Sequence, residues 1–179
     1  LFRVLSPALM LELKLYMYAE LLTQSSFFQN VDTQVIKSLV TKLALCIVAA
    51  GDYVIQKSDP SAAMYFIIRG TAEIILTIGM KPVCTYTSGH HFGESALYGG
   101  PGKKPLRTAW VRAVTYCHLA KLSCEDFEAV LESYPQCSDL LYQKIGEHVN
   151  KVAAANRLGK RLSQVDMAVS ILHPPWRFR

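Results

Sequence analysis

The sequence predicts an α+β fold: an antiparallel β-roll of about eight strands, jelly-roll-like, with linker helices before it and two helices after it. Three observations carry this expectation. Short β-rich pieces fill the chain from about residue 46 to 121, with turn signals at roughly the 8–12-residue spacing of sandwiches and barrels. Apolar residues at helical spacing occupy the stretch before it and again the stretch after it. Finally, 51% hydrophobic and 18% charged residues over 179 positions are enough for a real core and argue against disorder.

The first helix is expected over 5–22. Pro7 suits the first helical position after Ser6, and Leu9, Leu13, Met17 and Leu21 recur every four residues. Leu11, Leu15, Tyr18 and Leu22 thicken the apolar surface, so this helix should be sandwiched or touch another subunit. Ser25-Ser26-Phe27-Phe28 breaks the pattern. Asp32 then reads as the N-cap of a second helix, marked by Val35, Ile36, Leu39, Val40 and Leu43. From Cys46 onward, glycines punctuate expected strands at 53–56, 64–69, 71–77, 83–87, 108–114 and 117–121. Ser123 with Asp126 resembles a capping box, with Asp in place of the usual Glu or Gln. It opens a helix whose apolar face is Phe127, Val130 and Leu131 and which ends at Tyr134-Pro135. The last helix starts near Gln136, carries the stripe Leu141, Ile145, Val149 and Val152, and is expected to reach about residue 162. The tail, with Pro174-Pro175-Trp176, has no clear element.

A net charge of +5 and a pI near 9.0 suit an anionic partner, but the excess is too small to indicate nucleic acid. The nearest basic cluster, Arg157, Lys160 and Arg161, reads as a solvated helix end. The five cysteines at 46, 84, 117, 124 and 137 are odd in number, show no C-x-x-C spacing and mostly fall in apolar runs. Reduced, buried thiols and a cytosolic environment are expected. No apolar run approaches the ~20 residues that span a bilayer, and no signal peptide is visible. The chain starts at Leu1, so a fragment of a longer protein is expected.

The chemistry is concentrated in Gly89-His90-His91-Phe92-Gly93-Glu94-Ser95-Ala96-Leu97, a Gly/Lys-rich loop, and Arg107-Thr108-Ala109-Trp110-Val111-Arg112-Ala113. Gly93 allows a tight turn and close approach of the backbone to a ligand. Glu94 to Leu97 can form one helical turn whose free N–H groups make an anion site. Arg107, from the next strand, offers a planar fork to phosphate oxygens. Glu94 is an acceptor, which suits a ribose hydroxyl rather than a phosphate. Each residue alone has a plainer reading, as a turn acid, a surface arginine or a β-forming threonine. Together they suit a sugar phosphate with one negative charge.

Phe92-Gly93-Glu94-x-Ala96-Leu97 followed by Arg107-Thr108-Ala109-x-Val111-Arg112-Ala113 resembles the phosphate-binding cassette of cyclic nucleotide-binding domains. The likeness extends to Ala50-Gly51-Asp52-Tyr53-Val54-Ile55, Met64-Tyr65-Phe66-Ile67-x-x-Gly70, Thr115-Tyr116-Cys117-x-Leu119 and Asp126-Phe127-x-x-Val130-Leu131-x-x-Tyr134-Pro135. It is strongest toward hyperpolarisation-activated and cyclic nucleotide-gated channels, and covers roughly residues 5 to 158. The resemblance implies partial C-linker helices at 1–31 and a nucleotide-binding domain at 32–162, followed by a tail at 163–179. Within that domain the β-roll occupies about 46–121 and the closing helices 123–162.

It further implies a cAMP or cGMP ligand and no cofactor. His90-His91 would point to opposite strand faces with no third ligand at useful spacing, so no metal is expected. No G-x-S-x-G motif or Cys/His pairing argues for a nucleophile, so no catalysis is expected. Gly93, Ser95 and Ala96 would offer backbone contacts to the cyclic phosphate beside Phe92. Glu94 would accept from the ribose 2′-OH, Arg107 would pair with the phosphate, and Thr108, next to Ala109, would bond the phosphate and a syn purine. His148, Lys151 and Val152 of the last helix would face the base. Cyclic GMP-selective members carry an acidic residue where this chain has Val152, which tilts the expectation toward cAMP. The implied parent is a homotetrameric cation channel of the plasma or a ciliary or flagellar membrane. This domain would lie on its cytoplasmic side and meet the membrane only through transmembrane segments outside the chain. A soluble cAMP sensor, such as a kinase regulatory subunit, and a degenerate homology domain that binds nothing are the alternatives. Three departures bear on the base: Ser95 replaces an aliphatic residue, His148 stands where the channels often place arginine, and Trp110 replaces a small residue. Alternation along the expected strand would put Trp110 on the face of Thr108, against the purine.

Overall fold

The computed structural model describes residues 6–25, 28–79, 81–98 and 104–172, with side chains except at 7, 24, 152 and 155–172. Leu5, Ser26-Phe27, the loop at 99–103 and the end of the tail, each part of a sequence expectation, lie outside the described residues. Helix α1 spans Pro7–Gln24, with the Ser6 hydroxyl accepting from the Leu9 N–H at its N-terminus. Helix α2 spans Thr33–Lys42, and Asp32 caps it by accepting from the Gln34 N–H at 2.6 Å. Lys14 of α1 donates to the carbonyls of Thr41 and Leu43, at 2.7 and 2.9 Å, and so satisfies the C-terminal end of α2.

Eight antiparallel strands follow: β1 Ala44–Val48, β2 Tyr53–Ile55, β3 Ala63–Arg69, β4 Ala72–Ile75, β5 Cys84–Tyr86, β6 His91–Phe92, β7 Trp110–Ala113 and β8 Cys117–Ser123. They form two four-stranded sheets, ordered β1-β8-β3-β6 and β2-β7-β4-β5. Alternation along β3 and β8 explains the two-layered core. Ile67, Cys117 and Leu119 face the space between the sheets, with Ile55, Ala72, Phe92, Val111 and Ala113. Met64, Phe66, Ala120 and Leu122 point the other way, onto the helices. There Leu22, Phe28, Val35, Leu39, Phe127, Leu141 and Ile145 bury them. One sheet thus has both faces covered, and its strand β3 reads as an almost unbroken apolar run, Ala63 to Ile68.

Helix α3, Cys124–Ser133, is capped by Ser123, which accepts from the Asp126 N–H at 3.0 Å and donates its hydroxyl to the Asp126 carboxylate at 2.6 Å. Helix α4, Pro135–Leu172, runs past the end near 162 that its apolar stripe suggested and takes in part of the stretch read as a tail. An apolar stripe marks only the packed length of a helix, not its end. Four contacts hold the helical parts together. Phe127 and Tyr142 meet edge to face, the Ser38 and Tyr134 hydroxyls lie 3.0 Å apart, Lys42 pairs with Asp126 at 3.5 Å, and Lys144 of α4 donates to the Gln29 carbonyl. Among the described residues, no helix is long and apolar enough to cross a membrane.

Candidate functional site

The site grows from the junction of β6 with a single 3₁₀ turn, Glu94–Leu97. Gly93 precedes the turn at φ 81°, a left-handed conformation that a side chain would strain. The space is as restrictive as the angle. A Cβ on Gly93 would lie 3.0 Å from Arg107 Nη1, 3.1 Å from Ile55 Cδ1 and 3.3 Å from the Ala63 carbonyl oxygen. The first bond of the turn runs from the Ala96 N–H to the Gly93 carbonyl, so the turn supplies no acceptor for the N–H groups of Glu94 and Ser95. Ala96 and Leu97 are buried and anchor it. The Ala96 carbonyl also accepts from the Cys124 thiol at 3.2 Å, which joins the turn to α3.

Arg107 is the electrostatic centre. It is only 7% exposed, and its guanidinium donates to the Gly93 carbonyl at 2.9 Å and to the Ala63 carbonyl. Backbone pairing of 58–61 with 105–107 fixes the segment that carries it. Among the described residues, no carboxylate comes within ion-pair distance of it, and the acids that act on it, Glu94 and Asp59, do so from further off. Burial pushes the Arg107 guanidinium below its ordinary value, while Tyr65, Glu94 and Asp59 act in the opposite direction. The group still remains ionised at any ordinary pH.

A cavity of about 110 Å³ lies beside this arginine, lined by Phe92, Gly93, Glu94, Ser95, Arg107, Thr108 and Ala109. Ile55, Ile74, Tyr86 and Val111 form its apolar wall, and Val149 and Ala153 of α4 close it from above. Of the residues singled out from sequence, the cassette set therefore converges on one cavity, with Ala96 buried directly behind it.

The helix residues do not all converge. Lys151 is exposed and does not line the cavity, and the Val152 side chain lies outside the described residues. His148 sits at the rim, its Nε2 3.9 Å from Glu94 Oε1 and its ring centroid 5.5 Å from that of His91. The rotation of the helix presents Val149 and Ala153 to the cavity. The rotation follows from the buried stripe, because Leu141 and Ile145 continue at fourfold spacing to Val149 and then to Ala153. Ala153 is too small to stand out in that pattern.

Trp110 also differs from expectation. Strand β7 starts at Trp110, so Thr108 precedes it and strand alternation does not link the two. Trp110 does not line the cavity, and Lys57 Nζ lies 5.0 Å from the centre of its ring. The paired histidines serve packing. His90 stacks on Tyr86 with ring centroids 5.6 Å apart, and His91 lies tilted against Phe66. Burial first, then His148 and His90, lower the His91 pKa to about 4. Among the described residues, no group of three or more His, Cys, Asp or Glu is arranged to hold a metal ion.

Residues 46–134 match the family model of the cyclic nucleotide-binding domain. Over 151 residues, 83% of the chain, the sequence is 32% identical to a cyclic nucleotide-gated channel of Caenorhabditis elegans. Over 154 residues, 86% of the chain, it is 30% identical to potassium/sodium hyperpolarization-activated cyclic nucleotide-gated channel 2 of Mus musculus. The chain spans 21% and 17% of the lengths of these two relatives. The fold is shared with the C-linker/CNBHD of zELK channels, crystallised in the presence of cAMP, at a TM-score of 0.65 and 22% identity. That likeness covers 82% of this chain and 72% of the other.

Proposed function

With residues 46–134 belonging to the cyclic nucleotide-binding domain family, we propose that the chain binds cAMP or cGMP, cAMP preferentially, in the cavity beside Arg107. The cyclic phosphate takes the Arg107 guanidinium and the N–H groups of Glu94 and Ser95. The ribose hydroxyl donates to Glu94, Thr108 bonds the phosphate and the base, and α4 closes on the base with Val149 and Ala153. The domain performs no catalysis. In the parent protein it regulates a homotetrameric cation channel from the cytoplasmic side of the membrane, passing the movement of α4 to the pore through the linker residues 5–31, which include α1. Such coupling requires the ligand to bind the active arrangement more tightly than the resting one.

The observation that supports this reading is the buried Arg107 guanidinium in the cavity wall, which no carboxylate of the described residues meets at ion-pair distance. Isothermal titration calorimetry with cAMP and with cGMP tests it. The expected result is saturable binding that falls about 10–100-fold in Arg107→Lys, because an ammonium cannot reproduce the bidentate fork. Absence of heat at millimolar nucleotide, with the fold intact by circular dichroism, overturns the reading. One observation favours the second reading, a homology domain that binds nothing. The cavity of about 110 Å³ is smaller than the ~300–1,000 Å³ of ordinary ligand pockets. Nucleotide binding therefore requires α4 to move away from the cassette before it closes on the base.

A further inference from the structure

Away from the nucleotide cavity, the turn after β3 interlocks with the turn before β8. Gly70 holds the first turn at φ 109°. A Cβ there would lie 2.6 Å from the Tyr116 carbonyl oxygen and 2.8 Å from Cys117 Sγ, so only glycine lets the two turns lie this close. The Thr71 carbonyl accepts from the Val114 N–H at 2.8 Å, and from the Thr115 N–H and the Cys117 thiol at 3.3 Å each. The Thr71 N–H donates to the Thr115 hydroxyl at 2.9 Å. The register of β3 with β8 also shifts here. Ile67 pairs with Leu119, and Arg69 then pairs with His118. Without that bulge Arg69 would fall opposite Cys117, which faces the space between the sheets. With it, Arg69 stands on the outward face beside His118.

The interlock shapes a depression of about 530 Å³, lined by Arg69, Gly70, Thr115, Tyr116 and His118. It shares no lining residue with the nucleotide cavity, and no acid lines it. Tyr116 meets His118 edge to face, with ring centroids 5.5 Å apart. The Thr115 hydroxyl is engaged by the Thr71 N–H. Arg69, Tyr116 and His118 bring a guanidinium, a phenol O–H and an imidazole N–H to the same place. Among the described residues, none of these three side chains makes a hydrogen bond or an ion pair. A bulge and a left-handed glycine thus assemble three unengaged donors on walls that the Thr71 bonds hold fixed.

We propose that this depression binds a phosphomonoester, with Arg69, Tyr116 and His118 as its donors. The Arg69 fork takes two of the three terminal oxygens, and the phenol and the imidazole N–H meet the third. A neutral imidazole still carries one N–H, so the assignment does not depend on its protonation. A carboxylate offers two oxygens and leaves a donor unmet. A cyclic phosphate is a diester with a single charge, so cAMP is not the ligand that this donor set fits. The body of the ester is apolar or aromatic. It rests on the Tyr116 ring and on Ile47, which lies opposite His118 in the register of β1 with β8 and is 52% exposed. The site stands independently of the nucleotide cavity.

The test uses the 179-residue chain and phenyl phosphate, followed through backbone amide shifts in two-dimensional NMR. Saturable shifts are expected at 69–71 and 115–118, with a Kd on the order of 1 mM. Benzoate, an aryl carboxylate of similar size, is expected to bind about tenfold more weakly or worse. Arg69→Gln should weaken phenyl phosphate at least about tenfold, through the loss of charge-assisted bonds. Arg69 is exposed, so the spectrum of the variant otherwise stays that of the folded chain. No saturable shift at about 10 mM phenyl phosphate, unchanged affinity in Arg69→Gln, or equal binding of benzoate overturns the proposal.

A second arm separates the two sources of such a group. Sedimentation with phosphatidylcholine vesicles that contain phosphatidic acid, abolished by Arg69→Gln and absent with phosphatidylcholine alone, assigns the monoester to a lipid headgroup. Binding of phenyl phosphate without sedimentation assigns it to a soluble ligand. Sedimentation that survives Arg69→Gln counts against the site. Cyclic AMP is the internal control. Its shifts are expected at 93–97 and 107–109 and should be the same with and without Arg69→Gln, so their failure bears on the nucleotide cavity alone.

Discussion

Replacing Gly93 by alanine separates two effects that a single mutation usually confounds. At φ 81° the new Cβ costs roughly 1–2 kcal/mol through left-handed strain alone. It also enters a space bounded at 3.0–3.3 Å by Arg107 Nη1, Ile55 Cδ1 and the Ala63 carbonyl oxygen, so the guanidinium must shift. That guanidinium is held by the Gly93 and Ala63 carbonyls, and moving it loosens at least one charge-assisted bond, worth about 1.5–3 kcal/mol when left unmade. Gly51 supplies the control. Its φ is 92°, with nothing within 4 Å of a built Cβ, so Gly51→Ala pays the strain and nothing else. In urea unfolding, Gly51→Ala should lower the midpoint by about 0.5–1 M, and Gly93→Ala by more. In calorimetry with cAMP, Gly51→Ala should leave affinity unchanged while Gly93→Ala lowers it at least tenfold, because the phosphate ligand has moved. Equal effects of the two substitutions on both readouts would refute the claim that Gly93 is required by its contact with Arg107 rather than by its backbone angle.

Gly146→Ala gives a test of sign. Alanine in a helix normally stabilises by about 1 kcal/mol over glycine, so a loss of stability, recovered in the double variant with Tyr98→Ala, reports the contact of Tyr98 with Gly146. Lys14→Met should cost about 1–2 kcal/mol in urea unfolding, because the Thr41 and Leu43 carbonyls at the end of α2 lose a charged donor. His91 gives the chain an acid limb. Its pKa of about 4 lies below the ordinary 6.5, so the unfolded chain takes up a proton that the folded chain refuses. This contribution is fully present above about pH 6.5 and is lost as pH falls toward 4, at most roughly 3 kcal/mol. His91→Gln should flatten that limb in denaturation midpoints measured from pH 7 down to pH 4.

The parts legible in the sequence are those with local causes. Asp32 and Ser123 announce helices because a side-chain oxygen must satisfy the first free N–H groups, and both do so here. Strand β3 announces itself by its apolar run. What escaped notice lacked such a cause. Strand β6 is only His91–Phe92 and exists because β3 pairs with it through Tyr65 and Phe66, a relation between residues far apart in the chain. Strand β1 was absorbed into the region opening near Cys46, since Ala44–Val48 shows Leu45 and Ile47 outward and no clean alternation of polarity. The cassette was legible as a pattern of types: a glycine, an acid and an arginine can share an anion site only if folding brings them together. The end of the α4 stripe was harder to read, because Ala153 is too small to stand out and the contact of Tyr98 with Gly146 falls on a residue without a side chain.

The placement of Arg107 shows why the helix matters to the site. A guanidinium bonded to two backbone carbonyls is rigid, so an anion meeting it gains orientation without reorganising the wall. The other side of the cavity is different in kind. Val149 and Ala153 are apolar and only occupy volume, on the stretch of α4 beyond the buried Leu141 and Ile145, where Tyr98 and His148 also meet the cassette. One wall is thus fixed by the chain's own bonds, and the other by contacts that a nucleotide must break before it can make its own. Free energy from the phosphate is partly consumed in releasing α4, so the measured affinity understates the strength of the Arg107 contact. Weakening the contact of Tyr98 with Gly146 without touching the cassette, as Tyr98→Ala does, should therefore tighten cAMP binding. The gain should be several-fold in calorimetry and accompanied by reduced protection of the α4 amides. Tighter binding with unchanged protection would place the gain elsewhere and sink the account of α4 as the wall that yields.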